Sequence, residues 1–113
     1  MSPITSHVLD TGLGLPAAEL ALRLERQAPD GSWRSLAHGR TDRDGRAHDL
    51  LPQGPLERGD YRLVFDTGAY LQARGQPVFY PEVAIVFRVD AAAEHYHIPL
   101  LLSPFGYTTY RGS

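Results

Sequence analysis

The chain has 113 residues and a formal net charge of −2, and this length suits a single domain, residues 1–113, with a packed core. It contains no cysteine, which excludes a disulfide framework, a thiolate zinc site and a cysteine nucleophile. All 11 basic residues are arginine, so Schiff-base and lysine general-base chemistry are excluded as well.

Charge and hydropathy argue against binding to nucleic acid and against insertion into a membrane. No segment concentrates positive charge, so we expect no nucleic-acid binding. The longest apolar stretches, residues 83–87 and 98–102, are far shorter than the roughly 20 residues of a membrane-spanning helix. The N-terminal segment has neither the basic start nor the apolar stretch of a signal peptide, and the C-terminal RGS is not a peroxisomal signal. These features favour a cytoplasmic protein without membrane contact.

Alternation of apolar and polar residues with period two predicts a series of short strands. At Leu20, Leu22 and Leu24 a helix is the alternative, because residues 17–25 are rich in helix formers, but the alternation favours a strand. The only helix expected lies at residues 69–74. In chain order, the strands are expected at residues 4–10, 20–24, 33–40, 61–65, 83–89, 94–103 and 107–110.

Turn residues separate these strands, in keeping with a chain that has 11 glycines and 9 prolines. Pro29, Asp30 and Gly31 form one turn signal, and residues 42–45 form another in which Gly45 can take a positive φ. Seven or eight strands at this spacing are typical of an antiparallel sandwich or barrel. The exposed edges of such a fold invite pairing with another copy.

The five histidines are the first candidates for chemistry. His95 and His97 are two residues apart, so on a strand they share a face, and with His7 they could hold a metal. Two imidazoles alone bind metal weakly, and no carboxylate has ligand spacing, so we expect no metal. His38 and His48 lie in polar surroundings and are expected at the surface.

Arg46 and the C-terminal residues each leave two interpretations open. Arg46, which follows a tight turn, is either a solvated hairpin arginine or a donor aimed at a carbonyl or oxyanion. The last four residues either fray or carry a hydroxyl and a carboxylate into a site. Gly12 and Gly14 lack the third glycine of a phosphate loop, so no nucleotide cofactor is expected.

Three segments together carry a family resemblance. They are His7 to Ala17 (HVLDTGLGLPA), Thr41 to Arg46 (TDRDGR) and His95 to Ser113 (HYHIPLLLSP followed by GYTTYRGS). With these segments the whole chain resembles the 5-hydroxyisourate hydrolases, transthyretin-like enzymes of urate breakdown. The terminal YRGS favours these hydrolases over the hormone carrier transthyretin, which lacks it.

The resemblance implies an all-β, transthyretin-like sandwich of two four-stranded sheets with one short helix. It also implies a homotetramer, a dimer of dimers, with the active sites between dimers. The implied reaction is cofactor-independent opening of the six-membered ring of 5-hydroxyisourate. The alternative is a transthyretin-like protein that binds small aromatic ligands without reacting.

The resemblance assigns site residues by position. His7, Arg46 and His97 match the catalytic trio, Ser113 matches the C-terminal serine, and Tyr110 matches a tyrosine that contacts substrate along with His7 and Arg46. The role of His95 stays undecided between a partner of the site and a spacer. Arg111 could anchor the C-terminal residues by pairing with a carboxylate.

Overall fold

The computed structural model describes residues 2–113, which form nine strands and one helix. No helix in this described part is long and apolar enough to cross a membrane. The strands expected from the sequence are all present, with bounds that differ by a few residues. The elements are β1 (Ile4–Asp10), β2 (Leu15–Pro16), β3 (Ala21–Gln27), β4 (Trp33–Arg40), β5 (Arg46–Ala47), β6 (Gly59–Phe65), α1 (Thr67–Ala73), β7 (Val83–Val89), β8 (Tyr96–Ser103) and β9 (Gly106–Thr109).

The strands form two sheets. One has the order β4-β3-β6-β7 with antiparallel neighbours throughout. The other has the order β2-β1-β8-β9, and β5 pairs with the same edge of β1 as β2 does. The predicted sandwich with one short helix is therefore confirmed, and the second sheet gains a short fifth strand. Both unpredicted strands, β2 and β5, have only two residues, too few for alternation to show.

One pairing departs from the antiparallel expectation, since β1 and β8 run parallel along their whole length. A parallel pair cannot be joined by a hairpin and needs a long connection. Here the connection between β1 and β8 includes all four strands of the other sheet. Alternation of side chains is the same in parallel and antiparallel strands, so the sequence pattern did not reveal the direction. This pairing places the start of the chain beside its C-terminal strands.

Leucines two positions apart in β3 and in β8 fill the core between the sheets. Leu22 and Leu24 of β3 and Leu100 and Leu102 of β8 are all at most 4% exposed. Burial of one such side chain is worth roughly 1.5–3 kcal/mol. A strand puts alternate residues on one face, whereas a helix would turn Leu22 away from Leu24, so the helical alternative for residues 17–25 is wrong.

The helix is tied to β1 by a buried polar cluster, made of Asp10, Tyr70 and Gln76. It begins two residues before the predicted start, after Asp66, whose Oδ1 accepts from the amide of Ala69. The Tyr70 hydroxyl donates to Asp10 Oδ2 at 2.8 Å. Burial, and then the Asp10 carboxylate, raise the pKa of Tyr70 to about 12, so the phenol stays a hydrogen-bond donor.

Candidate active site

Three elements bring together residues that are distant in the sequence. In the pairing of β1 with β8, Thr5 lies opposite His97, and in the pairing of β1 with β5, His7 lies opposite Arg46. Ile4, Val8 and the alternate residues of β8 point into the core. Since Thr5, His7 and His97 have the opposite parity, they belong to the outer face of this sheet.

An open pocket of about 520 Å³ lies on this face. Its lining includes Thr5, Arg46, His48, His95, His97 and Ser113. Another cavity, of about 420 Å³, borders the other sheet, where Arg26, Leu56 and Tyr61 line it together with further apolar residues. No histidine is among the described residues that line this second cavity, whereas the 520 Å³ pocket joins imidazoles, a guanidinium and the chain terminus. The first pocket therefore has the groups that acid–base chemistry requires.

A tight turn fixes the position of Arg46. Oδ1 of Asp42 accepts from the backbone amides of Asp44, at 2.9 Å, and Arg46, at 3.0 Å. These bonds, that from Arg46 first, lower the pKa of Asp42. Gly45 has φ 78°, as predicted, and a Cβ there would lie 2.3 Å from the carbonyl oxygen of Val8. The turn can therefore press against β1 only with glycine at this position.

The imidazole of His97 is half-buried and contacts Thr5 of β1. Its Nδ1 lies 2.8 Å from Oγ1 of Thr5, which lies 3.0 Å from Nε2 of His95. Burial lowers the pKa of His97 below its ordinary value, and the charges of His95, Arg46 and His7 lower it further. A neutral imidazole at neutral pH is suited to accept a proton.

The C-terminal residues are held against β8 and do not fray. The amide of Gly112 donates to the carbonyl oxygen of His97 at 2.8 Å, in the same register as the pairing of β8 with β9. Arg111 pairs with Glu94 at 3.0 Å, the carboxylate partner expected for it, and its guanidinium stacks over Tyr96 at 4.6 Å. This anchoring brings Ser113 to the edge of the pocket.

Gly112 also lies directly over the histidine ring. A Cβ at this position would come within 2.5 Å of Cδ2 of His97 and 3.2 Å of its Cγ. No real pair of atoms of this kind approaches so closely without a shift, so only glycine lets the backbone cross the ring here.

His7 and Tyr110 are the two expected site residues that the pocket of one chain does not include. His7 is half-buried, and its Nε2 donates to the carbonyl oxygen of Asp44 at 2.9 Å, so its ring is held towards the turn. Tyr110 is 56% exposed. Arg46, His97 and Ser113 are therefore brought together within one chain, His7 is paired across the strands with Arg46, and Tyr110 does not line this pocket.

Three residues of the pocket, Thr5, Ser6 and His48, were not singled out as site residues. Thr5 precedes His7 by two positions in β1, so the two share a strand face, whereas His48 follows the end of β5. His48 is exposed as expected, but it also lines the pocket, and its Nε2 lies 3.4 Å from Oδ2 of Asp42. Among residues 2–113, no three histidine or acidic side chains are grouped as metal ligands.

Comparison with known proteins places this geometry in a family. A 5-hydroxyisourate hydrolase of Mus musculus is 50% identical over 99% of this chain and 96% of its own length. A 5-hydroxyisourate hydrolase of Caulobacter vibrioides is 46% identical over the full length of both chains. The structure of sea bream transthyretin in complex with thyroxine superposes with a TM-score of 0.92 at 37% identity, covering 98% of this chain and 95% of that one. The sequence pattern of the HIUase/Transthyretin family matches residues 4–112, and the chain belongs to this family.

Proposed function

We propose that this protein is a hydrolase that opens the six-membered ring of 5-hydroxyisourate, in urate breakdown, to give 2-oxo-4-hydroxy-4-carboxy-5-ureidoimidazoline. The observation that carries the proposal is the pocket that joins Arg46, His97 and Ser113. Relatives that are 46–50% identical over nearly the whole chain have the name 5-hydroxyisourate hydrolase. A lining of imidazoles and a guanidinium suits hydrolysis better than passive binding of an apolar ligand.

His97 is the general base in this proposal. Its lowered pKa keeps the ring neutral at pH 7, so a ring nitrogen can take a proton from water as the water attacks the carbonyl carbon. A base in position contributes roughly 10²–10⁴ in rate. The Ser113 hydroxyl or the terminal carboxylate orients the water, since this residue lines the same pocket.

Arg46 stabilises the negative charge that develops on the carbonyl oxygen. Its guanidinium makes no hydrogen bond or ion pair with any other residue in the range 2–113, so its donors remain available to a substrate. One well-placed donor is worth a few kcal/mol to such a transition state. His7 positions the substrate or shares the proton, and Tyr110 binds the planar ring.

The activity assay is the ultraviolet absorbance of freshly prepared 5-hydroxyisourate, with and without protein, above the spontaneous rate. We expect a decay that is faster in proportion to protein concentration and unchanged by a chelator, because no cofactor is part of the proposal. Decay at the spontaneous rate would contradict the proposed function. Loss of activity on chelation, with recovery on addition of zinc, would contradict cofactor independence alone.

We also propose that the chain assembles as a homotetramer, a dimer of dimers, in the cytoplasm. Strands β7 and β9 each end a sheet, which leaves backbone groups free for pairing with another copy. Large apolar side chains are exposed on β7, at Val86, and on the turn before β9, at Phe105, each at least 58% exposed. A second chain could bring Tyr110 to the pocket. Sedimentation should give the mass of four 12.5 kDa chains, and a monomer at assay concentration would contradict the assembly.

A further inference from the structure

We propose that Thr5 is a positioning residue that holds the ring proton of His97 on Nδ1 and so leaves Nε2 bare as the proton acceptor. The inference rests on the proposed function, because it concerns the histidine that acts there as the base. It starts from one hydroxyl group that lies between two imidazoles. Oγ1 of Thr5 is 2.8 Å from Nδ1 of His97 and 3.0 Å from Nε2 of His95.

A hydroxyl has one proton and two lone pairs, so Thr5 can accept from both rings or donate to one and accept from the other. Accepting from both would leave its own proton without an acceptor at a side chain that is 4% exposed, so two arrangements remain. In the first, Thr5 donates to Nε2 of His95 and accepts from Nδ1–H of His97. In the second, Thr5 donates to Nδ1 of His97 and accepts from Nε2–H of His95. Only the first leaves Nε2 of His97 without a proton while the ring is neutral, and only that form can take a proton at Nε2.

The burial of Thr5 keeps both contacts in place, and the exposure of His95 permits the first arrangement. Thr5 is 4% exposed, so water cannot easily replace either hydrogen bond. His95, in contrast, is exposed, and its other ring nitrogen can keep its proton in solvent while Nε2 accepts from Thr5. The two rings lie 6.3 Å apart with 23° between their planes, a geometry that holds both nitrogens against the same oxygen.

A hydroxyl partner also has a consequence that a carboxylate would not have. A carboxylate at Nδ1 fixes the tautomer but also favours the protonated imidazole, which raises its pKa. Thr5 is neutral, so it fixes the tautomer without offsetting the effects of burial and of His95, Arg46 and His7 on His97. The base is thereby oriented and still neutral at pH 7.

The direct test is the ¹⁵N spectrum of the histidine rings in the intact protein without substrate, with His97 assigned from its absence in His97→Asn. Protonated and bare ring nitrogens resonate far apart. At pH 7.5 we expect the proton of His97 on Nδ1 in the wild type and in Thr5→Ser. In Thr5→Val, which keeps the shape and the strand propensity, we expect it to move to Nε2 or to divide between the two nitrogens.

Kinetics supply the second readout. Thr5→Val should lower kcat roughly tenfold or more with little change in KM, whereas Thr5→Ser should stay close to the wild type. If Thr5→Val does not fold by circular dichroism, Thr5→Ala replaces it. A proton on Nε2 in the wild type, or an unchanged tautomer and kcat in the variant, would overturn the proposal. If no variant and no wild type hydrolyses 5-hydroxyisourate, the proposed function fails, and the spectra still decide the role of Thr5.

Discussion

The two faces of strand β1 hold polar groups in opposite ways. On the inner face, the carboxylate of Asp10 is 1% exposed and accepts from the amide of Leu13, the hydroxyl of Tyr70 and the side chain of Gln76. On the outer face, Arg46 lies beside β1, and its guanidinium donates to no residue in the range 2–113. A buried polar group must be satisfied within the chain, so the first arrangement supports the fold. The second is open to a ligand.

The largest expected effect is a loss of turnover on substitution of Arg46, at the outer face of β1. Arg46→Ala should lower kcat for 5-hydroxyisourate about 10²–10³-fold, because it removes the donor to the developing oxyanion. Unfolding temperature should change little, since the arginine backbone, not its side chain, closes the turn. Arg43→Ala, on the same turn and also exposed, is the matched control and should keep wild-type turnover. Equal rates for both variants would contradict the role of Arg46.

Substitution of Asp10, on the inner face of β1, should lower the free energy of unfolding. Asp10→Ala leaves the Tyr70 hydroxyl and the Leu13 amide without their acceptor, and we expect the free energy of unfolding to fall by roughly 2–4 kcal/mol. Chemical denaturation measures this change. Asp60→Ala removes a partly exposed carboxylate paired with the exposed Arg88, and this surface ion pair should contribute much less to stability. A similar loss in both variants would mean that burial does not distinguish the two carboxylates.

A smaller effect is expected where the C-terminal residues cross the pocket. Gly112→Ala forces the ring of His97 to move, and we expect kcat to fall about tenfold while the fold is kept. Gly106→Ala is the control in the same segment, because its Cβ would meet only the Ser103 hydroxyl, at 3.7 Å. Wild-type kcat in both alanine variants would contradict the role of Gly112 in positioning His97.

The smallest effect concerns pH. The base must be neutral, so activity should fall as pH drops through the pKa of His97, which burial and neighbouring charges lower below about 6.5. Because the unfolded chain binds this proton more readily, the contribution of His97 to stability also declines as pH drops below about 6.5. The acid limb of kcat against pH measures the first effect. A midpoint above 6.5 would contradict it.

Much of the fold could be predicted from the sequence, because alternation reports which side of a strand is buried. The leucines of β3 were predicted correctly for this reason, and the turn residues predicted the positive φ of Gly45. Helix α1 was expected two residues late, since the signal of its start is the single cap Asp66. The parallel pairing of β1 with β8 could not be predicted, because the alternation of apolar and polar residues does not show the relative direction of two strands.

The site was predicted only in part, and mostly through resemblance. His97, Arg46 and Ser113 were named from the family motifs, because their residue types alone did not decide between a surface and a site interpretation. Thr5 was missed because a threonine in a strand has no distinctive pattern until its neighbours across the sheet are known.

The local order of residue types determined the strands and the turn before Arg46, because these depend on neighbours in the chain. Composition alone excluded thiol and lysine chemistry, because the chain contains neither cysteine nor lysine. Only the tertiary structure decided that Thr5, His97 and Gly112 touch, since strand register and the path of the C-terminal residues set those contacts. Contacts between residues about 90 positions apart depend on the free energy of the whole packed sandwich, which no short segment encodes.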